Sequence, residues 1–161
     1  MSAQLPLPEY DPSAGYLLGP ALSVSLVRDG SGCLGPSWDG PTKAAAELLA
    51  RIPDDGRERF GCVFLNVRNA PTAIYTVTVG CLTATLVHPR AVFGPAIVAC
   101  AAAVILWHNH PSGDAEPSQE DIALTRRLAA GGTLLGVNVA DHLILGQGTR
   151  AWVSLKQRGI L

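Results

Sequence analysis

Six apolar residues, Ala102-Ala103-Val104-Ile105-Leu106-Trp107, run into His108-Asn109-His110 and then into Pro111-Ser112-Gly113-Asp114; no other segment constrains this chain so tightly. A short apolar run closed by a turn signal reads as a buried strand. Side chains alternate along a strand, so two histidines spaced i, i+2 point to the same side of it. Eleven positions beyond His110 stands Asp121, with Ser118 between them, in a helical pattern that opens near Gln119. A carboxylate in that first turn can fold back over the histidines. Two imidazoles, one carboxylate and an open fourth position describe a catalytic zinc site rather than a closed structural one.

Ser118 followed three residues later by Asp121 also reads as a capping box, with a shorter acid than the usual Glu or Gln. Ser118 can start the helix with its backbone while its hydroxyl faces a ligand. For Asp121 the two readings compete, since one carboxylate does not easily serve both helix and metal. The histidine pair favours the metal.

The rest of the chain reads as follows. Residues 1–20, with Pro6, Pro8, Pro12 and Pro20, form an extended lead-in. Ala21–Arg28 is a candidate strand, and 31–41 a glycine-rich loop. Thr42 is predicted to cap a helix through about Arg51, with Pro53 after its end. Phe60–Val67 and Ala73–Val79 are strands about a turn at Asn69-Ala70-Pro71. Pro89 opens a helix to about Ala103, Val104–Trp107 is the strand carrying the site, and 118–130 is the helix carrying Asp121, stopped by Gly131-Gly132. Leu135–Leu145 and Ala151–Ser154 complete the sheet. Strands in runs mixed with three helices predict an α+β layered domain.

At 161 residues and 48% apolar, the chain can bury a sizeable core, which excludes a disordered tail. A formal net charge of −1 is no electrostatic footprint for DNA, and Arg126-Arg127 reads as the wet face of a helix. Cys33, Cys62, Cys81 and Cys100 form no Cys-x-x-Cys pair, so they read as reduced residues of a cytoplasmic protein. No signal peptide is visible. Residues 91–107, interrupted by Gly94-Pro95, fall short of a membrane span.

His108-x-His110-x7-Ser118-x2-Asp121 matches the JAMM metallopeptidase motif at every position. LVHPRAVFGPAI, ILWHNHPSGDAEPSQEDIALTRRL and LLGVNVADHLILG resemble the JAB domain of the bacterial RadC family, from about Ala21 to the C-terminus. The resemblance implies a JAB/MPN cytidine-deaminase-like fold, a mixed sheet with helices packed on it. It also implies an upstream glutamate just before an apolar strand, and Glu58 stands in that place; composition alone would not choose it. RadC proteins typically carry a helix-hairpin-helix region ahead of this domain, which this sequence does not contain. Where the family tends to carry a small hydroxyl residue after Gly80, Cys81 stands here.

The implied chemistry is hydrolysis of an amide or isopeptide bond. Zinc held by His108, His110 and Asp121 lowers the pKa of a water from about 15.7 to about 7. Glu58 then suits a general acid/base, and the Ser118 hydroxyl a donor to the oxyanion on the scissile carbonyl. A peptide or a ubiquitin-like conjugate is the expected partner, DNA the rival one through the family's association with repair, and a module keeping zinc for stability the third possibility. An HNH nuclease spreads its residues over a longer unit, and a zinc deaminase needs a Pro-Cys-x-x-Cys that is not here. Among secondary residues, one of Asp141 and His142 is expected to support the site by a hydrogen bond, and His88 to serve a helix start.

Overall fold

The computed structural model describes residues 37–80 and 87–161. The expected lead-in, the candidate strand Ala21–Arg28, Cys33 and Cys81 lie outside the described residues.

Along the chain come α1 (Pro41–Arg51), β1 (Arg59–Leu65), β2 (Pro71–Val79), α2 (Pro89–Val98), β3 (Ala103–His110), α3 (Gln119–Leu135), β4 (Asn138–Gly146) and β5 (Trp152–Ser154). The five strands form one sheet in the order β2-β1-β3-β4-β5. It is mixed: β3 pairs antiparallel with β1 and parallel with β4, the chain passing through α3 between them. This is the α+β layered architecture expected, consistent with a JAB/MPN fold.

Two apolar layers flank the sheet. Phe60, Phe64, Val104, Leu106, Phe93 of α2, and Leu124 and Leu128 of α3 pack on one face. Val63, Leu65, Trp107, Leu143 and Leu145 pack with Ala44, Ala45 and Leu48 of α1 on the other. Strand alternation therefore puts His108 and His110, in phase with Leu106, on the α2/α3 face, and Asn109, in phase with Trp107, toward α1.

Several boundaries differ from the sequence reading. The cap of α1 is Gly40, with Pro41 in the first turn and no side-chain bond; Thr42 lies inside the helix. A proline there arrives with its φ already helical and no N–H to satisfy, so no side-chain cap is required. β3 runs on through His110, beyond the expected Trp107, so both histidines are themselves paired strand residues at its end.

The helix ends err in opposite directions. α2 stops at Val98, because Cys100 takes φ 51° while Cys100 N–H bonds Ile97 O and Ala101 N–H bonds Ala96 O. That is a Schellman end with no glycine to announce it. α3 runs past Gly131-Gly132 to the same kind of end at Gly136, φ 70°. Gly132 serves contact instead of termination: a Cβ there would lie 2.4 Å from Val137 O and 3.0 Å from Phe93 Cζ.

Candidate metal centre

The site forms where β3 ends and α3 begins. β3 carries the two imidazoles out of the core, and the Pro111–Pro117 connection turns the chain so that the first turn of α3 faces them. Glu58 immediately precedes β1, whose start is paired with the end of β3: Arg59 lies opposite Asn109, and Phe60 opposite His108. Glu58, fifty positions upstream, thus meets His108, His110 and Asp121 at one corner of the sheet.

His108 is buried between two carboxylates. Its Nε2 lies 2.9 Å from Glu58 Oε1, and its Nδ1 lies 3.0 Å from Asp121 Oδ1. The second approach is short but not aligned as a hydrogen bond, so Nδ1 is a buried polar atom without a hydrogen-bond partner among the described residues. His110 presents Nδ1 to the Asp114 carbonyl at 2.7 Å and Nε2 to Asp121 Oδ2 at 3.5 Å. A carbonyl only accepts, so Nδ1 must carry the hydrogen. In the neutral ring Nε2 then turns a lone pair toward a carboxylate. Two imidazoles facing carboxylates in this way call for positive charge between them, as a proton or as a cation.

The three ligand-bearing residues meet that demand. His108, His110 and Asp121 each offer an atom, all within 4.8 Å of one another, forming a group that can hold a metal ion. Imidazole nitrogens and one carboxylate oxygen suit a first-row divalent ion.

Asp121 is also the third residue of α3, and the expected competition for it does not arise. Ser118 N–H and Ser118 Oγ–H both donate to Oδ2, at 2.8 and 2.7 Å, while Asp121 N–H donates to Ser118 Oγ at 3.1 Å. The capping box is complete, and Oδ1 remains turned to His108. Burial works to raise the Asp121 pKa, but His108, His110 and Ser118 together hold it well below the usual carboxylate range. Asp121 raises the pKa of His110 in turn, against burial and with help from the Asp114 carbonyl. The Ser118 hydroxyl proton points at Asp121, so an oxyanion must compete with that carboxylate for it.

Behind the site, Thr125 Oγ1 donates to the Asp121 carbonyl at 2.6 Å and lies 2.6 Å from His142 Nδ1. Its single proton is used, so His142 Nδ1–H is the donor to Thr125. Burial pushes the His142 pKa down to about 3, with His108 adding to the effect, and the ring is neutral. Asp141, on the other side of β4, binds Ser154 Oγ and Lys156 N–H and secures the C-terminal turn. His88 is the N-cap residue of α2 and makes no side-chain cap bond among the described residues. The sequence reading missed Thr125, although its place one turn beyond Asp121 on the same helix face was a usable signal.

No helix among the described residues is long and apolar enough to cross a membrane. The RadC-like JAB domain family model matches residues 39–160. A UPF0758 protein of Moorella thermoacetica is 50% identical over 121 residues, covering 75% of this chain and 52% of that protein. Similar proteins occur in Desulfitobacterium hafniense, 50% identical over 126 residues (78% of this chain, 55% of that one), and Rubrobacter xylanophilus, 45% over 126 (78% and 54%). The chain spans about half the length of the curated relatives it matches. The match covers every strand, every helix and the whole metal-ligand group described above, and on it the chain belongs to the RadC-like JAB domain family.

Proposed function

We propose that this domain is a zinc-dependent hydrolase of JAMM type that cleaves a peptide or isopeptide bond, with a peptide or ubiquitin-like conjugate as substrate. The observation that carries the reading is the placement of Glu58, whose carboxylate stands against His108 beside the three residues able to hold the ion. Zinc, when bound, supplies Lewis acidity that polarises a carbonyl and makes a water acidic near neutral pH. Glu58 accepts the proton of the attacking water and returns it to the leaving amine. His110 is kept in one tautomer by the Asp114 carbonyl, and Asp121 is fixed by both donors of Ser118. Orienting bonds of this kind from outside the ligand set tune a metal site's affinity and basicity. The Ser118 hydroxyl serves the oxyanion once it turns from Asp121 Oδ2. Among the described residues, Cys62 and Cys100 are free thiols, which suits work in the reducing cytoplasm.

The test is elemental analysis of the purified chain, then incubation with isopeptide-linked ubiquitin-like conjugates and a peptide library. One zinc per chain is expected, lost in His108→Ala, with cleavage abolished by chelation and restored by zinc. Full metal retention in His108→Ala would sink the ligand assignment. With a net charge of −1, only weak DNA binding without sequence preference is expected. Submicromolar binding to duplex or branched DNA at physiological salt would put the repair-accessory reading first.

A further inference from the structure

Between the two histidines stands Asn109, buried and turned to the opposite face of β3, beside Leu49, Ile52 and Leu145. Its Oδ1 accepts from the Arg59 N–H at 2.7 Å, and its Nδ2 donates to the Arg57 carbonyl at 3.0 Å. These two backbone groups bracket Glu58. The other Nδ2 hydrogen goes to Gln147 Oε1 at 3.1 Å, and Gln147 donates in turn to the Pro53 carbonyl at 2.9 Å. Both amide hydrogens and the amide oxygen are therefore engaged, which leaves the side chain one orientation. From the β2 side, Gly80 N–H holds Glu58's own carbonyl at 2.8 Å. The peptide groups on both sides of Glu58 are pinned, the second of them from two directions, and its carboxylate reaches His108.

We propose that Asn109 is a positioning residue of the site: by holding the peptide groups on both sides of Glu58, it fixes where that carboxylate stands against His108. The proposal rests on Glu58 as the proton carrier of the proposed hydrolysis. It explains what a short side chain with one donor end and one acceptor end does between two ligands. Asp offers acceptors alone and would oppose the Arg57 carbonyl, and Ala offers nothing. A group that shuttles a proton must stand within about 3 Å of its partners, so an error of 1 Å in its backbone matters.

Histidine-labelled full chain, with and without added zinc, is compared by NMR for Asn109→Ala, Asn109→Asp, Glu58→Gln and the Asn109→Ala/Glu58→Gln double variant. Zinc content is measured on the same samples. In Asn109→Ala the His108 ring signals should move toward those of Glu58→Gln, and Arg59 amide exchange should speed about fivefold or more. In the double variant the ring signals should match Glu58→Gln alone. Asn109→Asp keeps the acceptor for Arg59 N–H but loses the donor to Arg57, so it should keep that amide protected and still move the ring signals. It carries the test if Asn109→Ala does not fold. Unmoved His108 signals beside a loosened Arg59 amide would overturn the proposal, leaving Asn109 a stitch between strands. So would an equal movement in the Glu58→Gln background, which means another route to His108. Absence of zinc with the ring signature intact would overturn the hydrolase reading and leave the clamp standing.

Discussion

Ser118 and Asp121 bind each other in both directions, the serine hydroxyl and backbone N–H donating to Asp121 Oδ2 while Asp121 N–H donates to the serine oxygen. The same carboxylate keeps Oδ1 within 3.0 Å of His108 Nδ1. The helix start and the candidate metal ligand are one arrangement: the bonds that satisfy the first turn of α3 also aim the carboxylate.

Ser118→Ala should therefore do two things at once. Loss of the cap costs about 1 kcal/mol of stability. Loss of one donor to Asp121 should weaken zinc binding by roughly 10–100-fold. Chemical denaturation and chelator competition measure the two effects. Lowered stability with an unchanged zinc dissociation constant would show that the cap does not orient the ligand.

Glu58→Ala should keep stoichiometric zinc and the fold while lowering hydrolysis by about 10²–10⁴-fold, because the water's proton has no acceptor. Metal analysis and cleavage assays on one preparation separate the cases. Zinc lost with Glu58 means that it is a ligand; activity retained places the base elsewhere.

Two adjacent glycines of α3 should respond in opposite ways to alanine. At Gly132 the new Cβ would meet Val137 O at 2.4 Å and Phe93 at 3.0 Å, and overpacking of this kind costs about 1–3 kcal/mol. At Gly131 the nearest atoms, of Phe93 and Pro89, stand 3.6 Å away, which is ordinary contact. There the higher helix propensity of alanine should stabilise by about 0.5–1 kcal/mol. Thermal unfolding of Gly131→Ala and Gly132→Ala checks both, and a shift of the same sign in the two would refute this account.

His142 should make the metal-free protein acid-sensitive. Its folded pKa is pushed down to about 3 from an ordinary value of 6.5, so between these pH values the unfolded chain binds the extra proton. Stability from this group is present above pH 6.5 and drains as pH falls toward 3, with a slope approaching about 1.4 kcal/mol per pH unit. His142→Asn, which retains a donor toward Thr125, should be less stable near pH 7 and yet show a flatter acid limb. Urea denaturation from pH 7 to 4.5 on chelated protein gives the comparison. Parallel curves for the two proteins would count against it.

The sequence by itself determined the class of the fold and picked out the three residues that can hold a metal ion. Alternation from Leu106 to His110 puts both imidazoles on one side of a strand, and a helix start eleven residues on brings Asp121 back to them. These are local relations within a span of fourteen residues, carried by strand and helix periodicity. Glu58 was legible only through the family resemblance, because its nearness to His108 comes from β1–β3 pairing across fifty positions. Asn109 carried no assignable role in the sequence for the same reason, its partners Arg57, Arg59 and Gln147 all lying far away in sequence. The helix ends show the limit most directly. A left-handed residue closes α2 at Cys100, where no glycine marks it, and Gly132 passes unbroken through α3 because Phe93 and Val137 need its missing side chain. Whether a glycine ends a helix or admits a neighbour depends on what packs against it, and only the tertiary structure decides that.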